Sequence, residues 1–226
     1  MKKVIVPGFF LLLGFGFFIS ISTTVNAAGN GEGQKRKAPA PVLQTGQTLC
    51  YDSSSNVIDC TDTGQDGDVQ EGVPLPSPRF TINGNGTVTD NLTKLVWLEY
   101  ADRLGLLTWE DALDACNSLE DNKADLTDGS VPGDWRLPNI RELLSLINYE
   151  YFCPCLSNTD GTGQFTDGSP FLSLQAPSPG NEYYWSSTTL GSASGGVDFC
   201  TGELIMLGKG DFTHFVWPVR NARKHE

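Results

Sequence analysis

Six cysteines, Cys50, Cys60, Cys116, Cys153, Cys155 and Cys200, constrain this 226-residue chain more than any other feature, because all follow an export-like N-terminus. Met1 to Ala28 reads MKKVIVPGFFLLLGFGFFISISTTVNAA: two lysines, a long apolar run, then the small residues of Val25-Asn26-Ala27. That order predicts a secretory signal peptide over residues 1–27, cut after Ala27. The alternative is an uncleaved anchor, since the run approaches the length that crosses a bilayer. No cysteine stands at the cleavage point, so no lipoprotein anchor is expected, and no later stretch is apolar enough to span a membrane. An even number of cysteines in an exported chain favours disulfides, and hence a fold held partly by cross-links.

Spacing suggests one bridge directly. Cys50 and Cys60 bracket a turn at Ser53-Ser54-Ser55-Asn56. Cys153 and Cys155 flank Pro154, and a bridge across so short a loop would be strained. Each is expected to pair elsewhere, with Cys116 and Cys200 as the available partners. A redox CxC motif is the competing reading, but nothing around it resembles thiol-activating chemistry.

The charge balance narrows the partners. With 27 acids against 15 bases the chain carries −12, and losing Lys2 and Lys3 with the signal makes it −14. Such a surface repels nucleic acid, anionic lipid and sulfated polysaccharide, and suits divalent cations.

Residues 28–45 read as a flexible linker, GNGEGQKRKAPAP being rich in Gly, Lys and Pro. Residues 46–78 hold the Cys-bracketed hairpin, an acidic loop and the stiff connector VPLPSP. The main domain is expected over residues 79–222. Phe80, Ile82 and Val88 alternate around Asn83-Gly84-Asn85-Gly86, a hairpin signal. Leu95-Val96-Trp97 predicts a buried strand. Thr108 caps a helix over 109–119, with Asp111 completing a capping-box pattern. Asn139 and Glu142 start a second helix whose buried face is Ile140, Leu143, Leu144 and Ile147, with Arg141 and Glu142 outward. A loop of over thirty residues follows Asn148, long enough to be functional or pinned. Strands are then expected at Tyr183–Thr188, around Val197 and Phe199, at Glu203–Met206, and at His214–Arg220, where Pro218 implies an edge or bulge. The pattern is α+β: two helices on short antiparallel strands with long loops, stapled by disulfides.

FTINGNGTVTDNLTKLVW, TWEDALDAC, GDWRLPNIREL, YYWSSTT and GKGDFTHFVWPVR occur in that order between Arg79 and Arg220. This succession resembles the Lcl C-terminal domain family, a bacterial exported module. The family in turn is similar to the C-type lectin and formylglycine-generating enzyme folds, so the resemblance implies a C-type-lectin-like fold. Some members are adhesins for sulfated glycans, a ligand class that this chain's negative charge opposes. In relatives whose closing strand carries Cys, a bridge to the first helix is implied; here Trp217-Pro218 stands there, leaving Cys116 to another partner.

Catalytic signals are weak. His214 and His225 are the only histidines and show no metal-ligand spacing. Ser186 and Ser187 lack a nucleophile-elbow context, and the paired cysteines of the formylglycine-generating enzyme have no counterpart. A non-catalytic module is therefore expected, exported to the periplasm, cell surface or medium. It would bind an envelope or extracellular ligand, glycan or protein, and oligomerisation is open. A structural or assembly module of a cell-envelope complex, with Phe152–Glu182 as its contact surface, is the alternative, and an enzyme of unrecognised chemistry ranks third.

Ligand-binding candidates are Tyr184, Trp185, Asp198, Glu203 and Lys209, with Trp185 expected in the core and Tyr184 nearer solvent. Calcium is the candidate cofactor, held by Asp62, Asp66 and Asp68, although Gly64 and Val73 break the EF-hand pattern. Asn83, Asn85 and Asp90 are explained by hairpin-turn chemistry. Trp135, Arg136, Pro138, Asn139, Glu142 and Arg220 are read as structural. Trp135 fills space under the first helix, Leu137 anchors the corner, Pro138 fixes the chain's entry, Arg136 pairs with an ion or carbonyls, and Arg220 pairs with a carboxylate.

Overall fold

A computed structural model describes residues 42–176, 178–180, 182–210 and 212–222. The expected signal peptide, most of the linker and His225 lie outside the described residues. The described residues belong to one compact unit. The fold is α+β, mostly sheet.

Three sheets build it. β1 (Cys50–Tyr51) and β2 (Val57–Ile58) form the expected small hairpin. A short helix α1 (Asp66–Val69) follows in the acidic loop. Next come β3 (Phe80–Ile82), β4 (Thr87–Asp90), β5 (Leu95–Leu98) and β6 (Leu106–Leu107). Helices α2 (Trp109–Asn117) and α3 (Ile140–Leu144) precede β7 (Tyr183–Leu190), β8 (Ala193–Asp198), β9 (Leu204–Gly208), β10 (His214–Phe215) and β11 (Val219–Asn221). The four-stranded sheet runs β11-β5-β4-β3 and the five-stranded one β6-β10-β7-β8-β9.

Three features correct the sequence reading. The closing segment is two strands rather than one: β10 belongs to the five-stranded sheet and β11 to the four-stranded sheet. Pro218 has no N–H for a ladder, so the chain changes sheets around it; its carbonyl still accepts the Leu98 amide at 3.1 Å. The strands are not all antiparallel, since β10 runs parallel to β7 at Phe215–Tyr184. β6, two residues long and too short to show a pattern, fills the edge beside β10.

Helix α2 begins as expected. Thr108 Oγ1 accepts the Asp111 amide at 3.3 Å, but the Asp111 carboxylate takes the Thr108 hydroxyl at 2.8 Å instead of its backbone N–H. At α3 the capping box is complete, with Asn139 accepting the Glu142 amide and Glu142 accepting the Asn139 amide.

Two buried clusters explain the layering. The larger gathers Trp97, Trp135, Tyr184, Phe199 and Trp217 with Phe80, Phe171 and Leu143. The smaller joins α2, through Ala112 and Cys116, to Leu137, Trp185 and Val216. Leu137 therefore seats α2, and Trp135 belongs to the larger core; the expectation placed Trp135 under the helix. Tyr184 and Trp185 fall in different clusters, so both sides of β7 are covered there. Arg79 is wholly buried with Asp90, donating from Nε and Nη2 at 3.0 and 3.1 Å and from Nη2 to the Ser145 carbonyl at 2.8 Å. Asp90 is thus an ion-pair partner as well as a turn residue.

Cys50–Cys60 and Cys153–Cys200 are disulfides. The second joins the long loop to the end of β8. Cys116 and Cys155 are buried free thiols, correcting the expectation that every cysteine is bridged. Cys116 sits in the smaller cluster and Cys155 in the larger, so the core separates them.

Candidate ligand-binding cleft

The predicted ligand residues do not assemble. Tyr184, Trp185 and Asp198 are each fully buried, so no aromatic platform faces solvent on β7. Tyr184 was expected nearer solvent; its ring packs edge-on to Phe199 at 5.2 Å and its hydroxyl accepts the Gln175 amide at 2.8 Å. The Trp185 indole donates to the Leu107 carbonyl at 2.9 Å. Asp198 accepts the Gly180 and Cys200 amides at 2.7 and 2.6 Å, fastening the loop to the end of β8. Glu203 and Lys209 flank β9, where Lys209 Nζ lies 4.4 Å from the Trp109 ring centre and donates to the Gly191 carbonyl.

The three aspartates of the calcium loop take separate positions. Asp68 turns back to accept the Gly64 amide at 3.0 Å, Asp66 accepts the Thr45 hydroxyl, and Asp62 is exposed. Asp68 thus closes a local turn, while Asp66 ties the loop to the segment before β1. Among the described residues no three His, Cys, Asp or Glu side chains group as a metal site.

Trp135 apart, one structural residue departs from its reading. Arg136 grips Glu142 through two hydrogen bonds, so Glu142 turns back to the corner instead of outward. The Pro138 carbonyl accepts the Ser187 amide at 2.8 Å. Arg220 pairs with Asp128 at 3.0 Å and stacks over Trp135. His214 lies edge-on between Tyr183 and Trp185, where burial lowers its pKa.

What the fold does build is a cleft of about 240 Å³ between the Cys-bracketed segment and the main domain. The segment docks through backbone: the Tyr149 amide donates to the Thr45 carbonyl at 2.9 Å. Glu150 Oε2 accepts the Thr48 amide at 2.6 Å and the Leu49 amide at 3.2 Å. Gly46 permits this approach, because a Cβ there would stand 2.4 Å from Asn148 Oδ1, and its φ of +88° suits glycine. Each disulfide fixes one wall: Cys50–Cys60 holds the docked segment, and Cys153–Cys200 holds the loop beyond Tyr151.

The lining is polar. Gln44, Gln47, Gln70 and Asn148 bring amides, Thr45, Thr48, Tyr151 and Thr162 hydroxyls, and Asp66 and Glu150 carboxylates. No Lys, Arg, His or Cys is among these described lining residues. Burial, then the Glu150 and Asp167 charges, push the Tyr151 hydroxyl above its ordinary range, so it stays a neutral hydrogen-bonding group. Such a wall offers donors and acceptors in mixture but no cation for an anionic ligand.

A larger hollow of about 410 Å³ over the four-stranded sheet is lined by Asn83, Asn85, Thr87, Thr89, Asp128 and Arg220. Its side chains satisfy one another: Asn83 Nδ2 donates to Thr87 Oγ1 and Thr89 Oγ1, and Thr87 Oγ1 to Asn85 Oδ1. The cleft keeps more capacity for a guest. Sequence reading missed it because its walls lie about a hundred residues apart, as Thr48 and Glu150 do (|i−j| = 102).

No curated protein matches this chain. The Lcl C-terminal domain matches residues 86–220, which include Asn148, Glu150, Tyr151 and Thr162 but not the docked segment. With more than half its length matched, the chain belongs to the Lcl C-terminal domain family.

Proposed function

We propose that this protein is a non-catalytic binding module of the cell exterior, whose cleft takes one neutral, hydroxyl-rich unit such as the end of a glycan. The carrying observation is the lining: amides, hydroxyls and two carboxylates, without a cation. Sugar hydroxyls both donate and accept, and this mixture answers them. Sulfated or phosphorylated ligands would meet carboxylates unopposed, within a chain of net charge −12. At about 240 Å³ the cleft is smaller than the usual pocket for a drug-sized ligand, which fits a single unit.

Two further features support the reading. Helices on short strands, with a long disulfide-pinned loop, agree with a C-type-lectin-like arrangement. Disulfides suit an oxidising compartment outside the cytoplasm, consistent with the signal peptide read at residues 1–27. Among the described residues no helix is long and apolar enough to cross a membrane.

A glycan array, run with calcium and with chelator, tests the proposal. Selective binding to neutral glycans, unchanged by chelator and lost in Gln47→Ala and Tyr151→Ala, is expected. Binding confined to sulfated glycans, or binding indifferent to both substitutions, would refute it. An assembly module is the alternative reading: Phe152–Glu182 buries Cys155, Leu156, Phe165 and Phe171 but leaves Phe152 63% exposed. A different surface favours it.

A further inference from the structure

The five-stranded sheet ends on β9, which pairs with β8 alone. Its sequence, Leu204-Ile205-Met206-Leu207-Gly208, has none of the charges or prolines that usually protect a free edge. The Asp198 amide donates to the Glu203 carbonyl at 3.0 Å, and the Lys209 amide to the Ser192 carbonyl at 3.1 Å. Antiparallel ladders alternate, so the odd-numbered residues of β9 address β8. The backbone groups of Leu204, Met206 and Gly208 therefore point away from the sheet.

The same alternate residues present an apolar face. Leu204 and Met206 are 45% and 41% exposed. Phe212, 61% exposed, lies 3.8 Å from where a Gly208 Cβ would stand, and Leu190 belongs to the same cross-strand row through Ala193. Isolated exposed apolar residues are ordinary, but a cluster along an open strand marks an interaction site.

We propose that β9 is a self-association edge, on which a second copy of this chain pairs antiparallel and joins two five-stranded sheets into one. The sequence of the edge is complementary to itself. With Met206 facing the partner's Met206 on the two-fold axis, Leu204 faces the partner's Gly208 and Glu203 faces the partner's Lys209. Outward backbone groups then meet in hydrogen-bonded pairs at Met206 and at Leu204 with Gly208. Glu203 and Lys209 fall in the closer, non-hydrogen-bonded positions where side chains interact best. The missing side chain at Gly208 leaves room beside Phe212 for the opposing leucine. Opposite charges at the two ends of the strand argue for a second copy over an unrelated strand, because reversal by the two-fold axis pairs both at once.

Sedimentation velocity of the purified chain over a concentration series tests this. A dimer is expected. Met206→Pro should give a folded monomer, since proline is tolerated on an edge strand where the N–H faces solvent. Glu203→Lys or Lys209→Glu alone should weaken the dimer about tenfold, and the double reversal should restore it. The charge-reversal series decides the matter should the proline variant misfold. A monomer at every concentration, a dimer that survives Met206→Pro, or a double reversal without recovery would each overturn the proposal. The glycan array reads a different surface, so the two results fail independently.

Discussion

Arg136 and Glu142 form a two-point ion pair, Nη1 to Oε2 at 2.7 Å and Nη2 to Oε1 at 2.6 Å, and the same Oε2 accepts the Asn139 amide at 2.8 Å. One carboxylate thereby closes the α3 capping box and fixes the preceding Trp-Arg-Leu-Pro corner. The Arg136 backbone completes the corner by exchanging two 3.0 Å hydrogen bonds with Val219.

Glu142→Ala should therefore cost about 2 kcal/mol in urea unfolding, and Arg136→Lys, which cannot offer the planar fork, about 1 kcal/mol. Burial acts to raise the Glu142 pKa, but the Arg136 hydrogen bonds, the Asn139 amide and the Arg136 charge outweigh it and leave it lowered. A lowered folded-state pKa means stability that is present above the unfolded value, near 4.5, and lost as pH falls through the folded one. Glu142→Gln should flatten that acid limb of a stability–pH curve. An unchanged limb would remove the pair from the account.

Arg79 and Asp90 make the sharper test of the core. Both side chains are fully buried. Asp90→Ala strands a cation and should cost about 3–5 kcal/mol, whereas Arg79→Met with Asp90→Leu should recover much of that loss. Recovery should stop short of complete, because Asp90 also accepts the Leu92 amide and the Thr93 hydroxyl, both at 2.8 Å or less. A double variant no better than Asp90→Ala would mean that these local bonds, and not the ion pair, dominate.

The contrast between these two pairs explains what was legible in the sequence. Asn139 and Glu142 are three residues apart, and a capping box is a local chemical pattern, so the start of α3 could be read directly. Arg79 meets Asp90 and Ser145, and Glu150 meets Thr48, only after the sheets form. Tyr184 failed for another reason. Alternation exposes one side of a strand only when the sheet has a solvated face, and β7 carries a buried cluster on each side. Pro218 correctly announced an interruption, but nothing local to it says that the chain then joins a second sheet.

The cysteines should separate into two populations. Burial pushes the Cys116 and Cys155 thiols up to about 12, so at pH 8 the native protein should resist thiol reagents and denaturation should release two reactive thiols per chain. Replacing Cys153 and Cys200 by serine opens a cross-link of sequence separation 47 and should cost about 4 kcal/mol on the chain-entropy estimate. Cys50 and Cys60, at separation 10, should cost about 3 kcal/mol. Rapid native labelling of Cys155 would contradict its place in the core.

Glu150 should couple the docked segment to the cleft. Its Oε2 accepts the Thr48 amide, the Leu49 amide and the Thr48 hydroxyl, so Glu150→Ala leaves two backbone donors without their carboxylate while removing no member of the large core. Protease cleavage between Val42 and Leu49 should accelerate, and the main thermal transition should move little, because the cost is local opening. Glycan affinity should fall in parallel, since Gln44, Thr45 and Gln47 form one wall of the cleft. Glu150→Gln keeps an acceptor and should show a smaller change in both readouts. Faster proteolysis with undiminished binding would show that the segment is dispensable for the ligand and would place the site within the family domain alone.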